Sequence, residues 1–371
     1  IPRRYLRTSI PVKAEKMHHG HGDEGSVIQL EKKGSILLHD GGYRERLPNG
    51  KYRADLYHNR LVFREGLRDV TRSAYDALHD EGYYRRVDTE KLHFQSFGIL
   101  DYLRTRTHVR PLGLTWDRSI TWLKSEDAYV IVDWVDGAGG KDITIGNLWH
   151  SQTADSAGNR AFEARVDTIN RGQNDANPWR NDPAHSLLIE FLGEKGSVMA
   201  EQIRRNHGDA CMVSQCVSRS FGQDGREILV TLLTAHERSI PPEEIAGRLR
   251  IERQQEDKSG LSLVYEGKQT IRLAYKLDLD RNLIHYVDDR SPMYNWETGK
   301  MEHGTIISDA DFCFVRESGD RLDYGMVNGC RIHHRGVPIF STPQYTANDY
   351  LVQIFSRIDH KWKAWEGTAE R

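Results

Sequence analysis

The sequence has no long apolar run, few cysteines and almost no net charge, and each of these absences excludes a class of protein. No apolar run approaches the roughly 18 residues that a membrane-spanning helix needs. The formal net charge of −2 and the sequence pI of about 6.8 provide no global field that would attract nucleic acid. Charged residues make up 29% of the chain with both signs interspersed, which is typical of a solvated globular surface.

Cysteine is also scarce: Cys211, Cys216, Cys313 and Cys330 are the four in 371 residues. None forms a CxxC pair, and the chain is too long and too cysteine-poor for a disulfide scaffold. A pairing of Cys211 with Cys216 stays open, and so does the redox compartment. The chain begins at Ile1 without a methionine or a leader, which indicates a mature, cleaved or partial chain.

Helical periodicity is scarce too, and only 72–79 and 242–247 show it. Period-two alternation with β-branched and aromatic residues recurs along most of the chain. It predicts strands at Ser26–Leu30, Ser35–His39, Leu61–Arg64, Leu92–Phe97, Ile120–Leu123, Ala128–Asp133, Ile143–Trp149, Ser186–Phe191, Ile228–Thr234, Leu261–Tyr265, Thr270–Tyr275, Phe312–Glu317 and Cys330–His333.

Many short strands separated by turn signals predict a mostly β protein, a large antiparallel β-sandwich of stacked sheets with a smaller C-terminal β region. The polar stretch 254–260 is the predicted seam, so the domains are placed at 1–253 and 254–371. The segment 152–183, dense in Asn, Asp, Gly and Arg, is predicted to be a wide surface loop.

The densest chemistry lies in residues 18–59, where histidines and carboxylates cluster in three short motifs. These are His18-His19-Gly20-His21-Gly22-Asp23, Leu38-His39-Asp40-Gly41-Gly42-Tyr43 and Tyr57-His58-Asn59. Two imidazoles and a carboxylate are an ordinary ligand set for zinc. In an extended segment His19 and His21 point to the same side, because side chains alternate along a strand.

A hairpin predicted around Lys32-Lys33-Gly34 would bring the start of its first strand and the end of its second to one end of a sheet. A regular register places Asp40 opposite about residue 27, so His21 would have to fold back, with Gly20, Gly22 and Gly25 supplying the backbone freedom. On the residues alone, two interpretations remain open: a metal site, and a polar loop that binds nothing.

These motifs resemble those of the heparinase II/III-like family of polysaccharide lyases. The resemblance covers about the first 190 residues, continuing more weakly through 101–106, 116–133 and 147–150, and beyond that only as a generic β-sandwich. It implies one zinc ion, with a structural role, held by His21, Asp40 and His58. It also implies that His19 is a catalytic or substrate-contacting residue.

The family reaction is β-elimination at a uronic acid, so the resemblance implies an acidic polysaccharide as the substrate and a secreted or periplasmic location. Members also carry an α/α-toroid that supplies a catalytic Tyr, and nothing in this sequence predicts a helical toroid. That domain is therefore expected on another part of the protein or on a separate chain, unless the protein is a non-catalytic relative.

Further candidates follow from position. Tyr57, beside a predicted ligand, is a catalytic candidate, although an ordinary amphipathic aromatic fits there as well. Arg104 and Arg106 alternate with Thr105 on a predicted strand, so both could face an anionic chain or a solvated surface. Two other functions stay open: a β-sandwich that binds glycans or assembles without chemistry, and a zinc hydrolase with a water on the fourth zinc position.

Overall fold

The computed structural model describes residues 6–8, 23–39, 55–79, 87–167, 169–170, 179–180, 182–205, 208–223, 225–279, 284–287, 291–294, 296–341 and 364–370. Strands dominate these residues, as the period-two alternation predicted. In chain order they are β1 (Leu6–Thr8), β2 (Val27–Lys32), β3 (Ser35–His39), β4 (Leu61–Glu65), β5 (Asp88–Ser96), β6 (Leu100–Val109), β7 (Leu114–Leu123), β8 (Ala128–Asp136), β9 (Asp142–Ser151), β10 (Thr153–Ser156), β11 (Ala161–Arg165), β12 (Ile169–Asn170), β13 (Trp179–Arg180), β14 (His185–Leu192), β15 (Ser197–Arg205), β16 (Gly208–Ser220), β17 (Glu227–Glu237), β18 (Leu249–Gln254), β19 (Gly260–Glu266), β20 (Thr270–Lys276), β21 (Ile284–Val287), β22 (Ser291–Tyr294), β23 (Met301–His303), β24 (Ile306–Ser308), β25 (Phe312–Ser318), β26 (Arg321–Val327), β27 (Arg331–His334), β28 (Val337–Ser341) and β29 (Ala364–Glu370).

Helical structure in the described residues is short. The α-helices are α1 (Ala74–Leu78) and α2 (Trp296–Gly299), and the 3-10 turns are Asp55–Tyr57, Arg110–Leu112 and Pro242–Glu244. Both segments with helical periodicity contain one of these elements. Among the described residues, no helix is long and apolar enough to cross a membrane.

The chain divides into two compact units. The first consists of residues 1–94 and 99–246, and the second of residues 95–98 and 247–371. The seam between the units therefore precedes β18, whereas the boundary expected after residue 253 falls inside that strand. Residues 95–98, from the end of β5 and the turn after it, also belong to the second unit. No local sequence pattern predicts this assignment.

Two antiparallel sheets make up most of the first unit. The larger has eight strands in the order β10-β11-β14-β17-β8-β7-β6-β5, and the smaller has four in the order β15-β16-β9-β4. Alternate residues of β9 face opposite sides: Ile145 and Trp149 lie in the clusters that include residues of the large sheet, whereas Leu148 lies in a cluster with α1. The Asn147 side-chain amide donates to the Thr231 hydroxyl of β17 at 2.8 Å, which links the two sheets across the interior. The predicted stacked sandwich is confirmed.

The other face of the small sheet is covered by α1 and the 3-10 turn Asp55–Tyr57, whose apolar residues form a cluster with Leu148 and Met212. Gly146 permits this approach, because a Cβ there would lie 2.3 Å from Cδ1 of Leu78. The Ser73 hydroxyl caps α1 by accepting from the Asp76 amide at 3.0 Å. The helix α1 and the turn that precedes β4 therefore pack on the same face of the sheet.

The predicted hairpin is confirmed as β2 and β3, joined at Lys33-Gly34 with positive φ at both residues (48° and 90°). Positive φ is the conformation that tight hairpin turns require. Val27, Leu30, Leu37 and Leu38 of the hairpin are buried in the main cluster of the sandwich.

The second unit contains a six-stranded sheet, β18-β19-β20-β25-β26-β29, and a four-stranded sheet, β23-β24-β27-β28. Its core joins the two sheets through residues of β20, β24, β25, β26 and β27, with Phe340 and Trp365 packed against them. This unit is the smaller C-terminal β region that the sequence predicted.

One expectation about local structure was wrong, and several strands, among them β15 and β16, were missed. The segment 152–183 is not a continuous surface loop, because β10 and β11 lie within it and Phe162 and Ala164 of β11 are core residues. The strands β15 and β16 were not predicted, because polar residues interrupt their apolar alternation. They are nevertheless paired over nine positions, from Ser197 with Cys216 to Arg205 with Gly208.

Candidate functional site

The predicted zinc ligands are only partly within the described structure. His58 is described, whereas His21 and Asp40 lie outside the described residues, as does the candidate catalytic His19. Among the described residues, no group of three or more His, Cys, Asp or Glu side chains could hold a metal ion. Of the predicted site, the structure describes His58 and parts of the chain segments that border the other two predicted ligands.

His58 is buried, with 1% of its surface exposed, and directly follows the 3-10 turn Asp55–Tyr57. Its amide donates to the Asp55 carbonyl at 3.2 Å. The Asp55 carboxylate accepts two hydrogen bonds from Arg64, at 2.7 and 3.0 Å. Burial raises the pKa of Asp55, but the guanidinium of Arg64 outweighs it, with His58 among the smaller contributors, so the pKa is lowered overall. His58 thus lies on a turn that is held by a charged pair.

Asn59 fastens the His58 segment to the first strand of the hairpin. The Val27 amide donates to the Asn59 carbonyl at 3.1 Å, and the Asn59 side-chain amide donates to the Val27 carbonyl at 2.7 Å. The Asn59 side-chain oxygen accepts from the amide of His150 in β9 at 2.6 Å. One asparagine therefore joins three chain segments beside His58.

The end of β3 reaches the same region. His39, the last residue of β3, is paired with Gln29, two residues from Val27 along β2. The described end of β3 and the His58 segment therefore both contact the first half of β2, at Gln29 and Val27. The assignment of His58 and Asp40 as zinc ligands stays a prediction, because Asp40 lies outside the described residues.

A charged pair that the sequence did not indicate lies inside the sandwich next to these segments. Arg118 of β7 and Asp133 of β8 are cross-strand partners, both fully buried. Arg118 donates to the two carboxylate oxygens at 2.7 and 3.0 Å, and the Trp116 indole donates to the same carboxylate at 2.7 Å. One feature of the sequence could have predicted the buried arginine. Arg118 alternates in phase with the inward-facing residues Trp116 and Ile120, at a position where an apolar side chain is expected.

A second buried arginine contacts the segment that follows His21. Arg60 lies 3.5 Å from the carboxylate of Glu24. Burial lowers the pKa of Arg60, while Asp55 and Glu24 raise it and the nearby Arg118 lowers it further. Arg60 thus interacts electrostatically with Glu24, Asp55 and Arg118, and Asp55 interacts in turn with His58.

The remaining candidate functional residues form hydrogen bonds with other side chains of the protein. Tyr57 is buried in the cluster beneath α1, and its hydroxyl lies 3.0 Å from the Tyr75 hydroxyl. Arg104 and Arg106 lie on one face of β6, as the alternation indicated, and both are hydrogen-bonded to the Asp117 carboxylate. Burial alone would lower the pKa of Arg104, but Asp117 raises it. In this conformation these three side chains contact partners within the protein.

The similarity of this chain to known proteins is found in its fold and not in its sequence. No family model matches the sequence, and no curated protein matches it. A solved heparinase III with methylated lysines is 16% identical with a TM-score of 0.51, over 74% of this chain and 38% of that one. The heparan sulfate lyase HepC from Pedobacter heparinus is 15% identical with a TM-score of 0.51, over 74% and 39%.

A mutant of HepC from the same organism is similar at the same level, with 15% identity and a TM-score of 0.50 over 75% of this chain and 40% of that one. The chain therefore spans about 40% of the length of the lyases that it matches. Identity this low shows the fold alone. The chain has the β-sandwich fold found within heparinase III and the heparan sulfate lyases, as its resemblance to the heparinase II/III-like family predicted.

Proposed function

We propose that this chain is the β-sandwich part of a lyase that cleaves uronic-acid-containing polysaccharides by β-elimination, with one structural zinc ion held by His21, Asp40 and His58. The observation that supports the proposal most is the position of His58. It is buried on a fixed turn, and Asn59 joins that turn to β2 beside the strand end that leads to Asp40. The fold shared with heparan sulfate lyases supports an acidic polysaccharide as the proposed substrate class.

In such a reaction a base removes the proton on the carbon next to the carboxylate, and the electron pair of that C–H bond ends in a double bond to the neighbouring carbon. The glycosidic oxygen leaves the neighbouring carbon and takes a proton from an acid. The site must also neutralise the carboxylate, so that the developing negative charge is stabilised. His19 is proposed for the proton transfer or the neutralisation, a role that contributes roughly 10²–10⁴-fold in rate. A bound zinc would supply local order to the loop that carries His19.

The zinc site is tested by the metal content of the purified protein after dialysis against zinc. We expect one zinc ion per chain in the wild type and His185→Ala, and none in His58→Ala. His185 is the matched control because it is also buried but lies near Ser35, at the opposite end of β3. Full zinc content in His58→Ala would contradict the ligand assignment.

The lyase activity is tested on a panel of uronate polymers by the ultraviolet absorbance of the unsaturated product. The panel is run with the chain alone and with the chain joined to an α/α-toroid domain. We expect product that is lost in His19→Ala. No product from any polymer in either form would overturn the lyase proposal.

A second candidate function is a β-sandwich that binds acidic glycans without cleaving them, and one observation favours it. Tyr57, a catalytic candidate, is buried, and its hydroxyl lies 3.0 Å from that of Tyr75 instead of being presented to a substrate. Glycan binding that persists in His19→Ala, without turnover in either protein, would favour this candidate. Cleavage to products without a double bond, lost on chelation, would indicate a zinc hydrolase instead.

A further inference from the structure

Two buried histidines lie in one row across the four-stranded sheet of the second unit. His303 of β23 is paired with Ile306 of β24, and Ile306 is paired in turn with His334 of β27. Cross-strand partners carry their side chains on the same face of a sheet. Ile306 belongs to the apolar cluster that joins this sheet to the six-stranded sheet. Both imidazoles of this histidine row, 1% and 4% exposed, therefore face the six-stranded sheet.

Two cations of the six-stranded sheet act on His303. Burial lowers the pKa of His303 to about 4, and Arg253 of β18 and Lys276 of β20 act in the same direction. Both cations already have carboxylate neighbours: Lys276 lies 3.9 Å from Asp311, and Arg253 lies 3.1 Å from Glu302. The Nδ1 atom of His303 has no hydrogen-bond partner among the described residues. A proton on His303 would therefore add a positive charge beside cations, in a buried position.

His334, at the other end of the row, faces a carboxylate that two arginines already contact. Its Nε2 atom lies 3.4 Å from Oε1 of Glu317 on β25. The same carboxylate accepts hydrogen bonds from Arg272 of β20 and from Arg335. Arg272 also lies 3.5 Å from Glu252 of β18. Burial lowers the pKa of His334, and the attraction of Glu317 is offset by the two arginines, so the pKa is lowered overall. The two arginines balance the two carboxylates, and a proton on His334 adds one further positive charge.

Two glycines let the sheets of the second unit approach closely at His303. Gly304, in the turn after His303, has a φ of +65°, and a Cβ there would lie 2.5 Å from Oε2 of Glu252. On the six-stranded sheet, a Cβ at Gly260 would lie 2.6 Å from Cε of Met301 and 3.1 Å from Cε1 of His303. A charged imidazole is costly to bury without water or a partner. Hydration of a protonated His303 therefore requires the two sheets to move apart.

We propose that the histidine row is an acid-sensitive conformational switch: when His303 and His334 take up protons, the four-stranded sheet separates from the six-stranded sheet while the first unit stays folded. The closed arrangement is fully stable above about pH 6.5, the ordinary pKa of histidine, and loses stability as the pH falls towards 4. The inference concerns the second unit and does not depend on the zinc site or the lyase reaction proposed above.

The thiol of Cys313 reports the separation of the sheets directly. Cys313 of β25 is 1% exposed, and its thiol is hydrogen-bonded with the side chain of Ser308 on β24. Cys211 is equally buried in the core of the first unit and serves as the internal reference. The two labelling rates are measured by peptide mass spectrometry, with dithiodipyridine as a thiol reagent that reacts in acid.

We expect the ratio of Cys313 labelling to Cys211 labelling to rise by about 70-fold between pH 7.5 and pH 4.5. This is the factor by which a histidine favours the open state when its pKa is about 4 in the closed state and 6.5 in the open one. A wild-type ratio that is constant with pH would overturn the inference, whether both thiols become accessible together or neither does.

The variant His303→Gln/His334→Gln removes both titrating groups, so its labelling ratio should not change with pH. His236→Gln is the matched control, because His236 is also buried with a lowered pKa but belongs to the first unit. It should keep the wild-type rise. A rise that persists in the double variant, or that is lost equally in His236→Gln, would contradict the role of the histidine row.

Discussion

Burial lowers the pKa of several histidines among the described residues, and His303 is the one shifted furthest. His303, at the end of β23, has 1% of its surface exposed, and its Nδ1 atom has no hydrogen-bond partner in the described part of the chain. Burial lowers the pKa of His303 to about 4, with Arg253 and Lys276 acting in the same direction. His303 is therefore neutral in the folded protein at pH values where an unfolded chain begins to take up a proton.

This difference predicts that acid destabilises the protein through His303. The unfolded pKa is the higher one, so the contribution of His303 is fully present above about pH 6.5 and is lost as the pH falls towards 4. A difference of about 2.5 pKa units, at about 1.4 kcal/mol per unit, amounts to about 3 kcal/mol of unfolding free energy.

Urea unfolding at a series of pH values between 7.5 and 4 measures this dependence. His303→Gln should reduce the slope, whereas the control His108→Gln, on an exposed part of β6, should keep it. Burial also lowers the pKa of His185, His236 and His334, so part of the slope should remain. An unchanged slope in His303→Gln would contradict the prediction.

At the scale of the element, one turn carries the chain from the eight-stranded sheet to the four-stranded sheet. It joins β14 to β15 and contains Gly193 and Gly196, with φ values of +79° and +71°. Their surroundings differ. A Cβ at Gly196 would lie 2.1 Å from the Cys216 carbonyl oxygen, whereas at Gly193 it would meet nothing within 4 Å. Of these two positions, only position 196 requires a glycine because β16 approaches it closely.

The two glycines form a matched pair for alanine substitution. Gly193→Ala should cost about 1–2 kcal/mol of unfolding free energy, because an L-residue is disfavoured at positive φ. Gly196→Ala should cost about 1–3 kcal/mol more, since the backbone of β16 must also move. Urea unfolding of both variants measures the difference, and equal losses would show that the contact with Cys216 is not restrictive.

At the scale of the molecule, the second unit is completed by residues from far earlier in the chain. Phe97, in the segment 95–98, packs edge-on against Phe314 of β25 with ring centroids 5.1 Å apart. It is 3% exposed, whereas Phe94 of β5 is 56% exposed. The second unit therefore depends on a residue that a boundary drawn in sequence would assign to the first.

Phe97→Ala should destabilise the second unit by about 3–5 kcal/mol, the cost of removing a buried phenylalanine. Phe94→Ala, the control three residues earlier on β5, should change stability by less than about 0.5 kcal/mol. Hydrogen exchange of the β25 and β26 amides follows the second unit directly. Unchanged protection there in Phe97→Ala would argue against the assignment of this segment to the second unit.

Local patterns were sufficient for the class of fold and for several of its elements. Alternation of apolar and polar residues has a period of two in any strand, so it predicted the sheets and the β2–β3 hairpin from neighbouring residues alone. It failed for β15 and β16, where polar residues interrupt the alternation, and for β11, which lies in a segment of loop-like composition. The metal ligand set came from the family resemblance and stays a prediction, because His21 and Asp40 lie outside the described residues.

The sequence by itself determined that this protein is built from antiparallel sheets, because strand alternation is a property of residues close together in the chain. Only the tertiary structure decided that Arg118 and Asp133 pair inside the sandwich, that Asn59 joins the His58 turn to Val27, and that Phe97 belongs to the second unit. Those contacts join residues that are distant in sequence. They depend on strand order, register and burial, which arise from packing the whole chain and not from any local pattern.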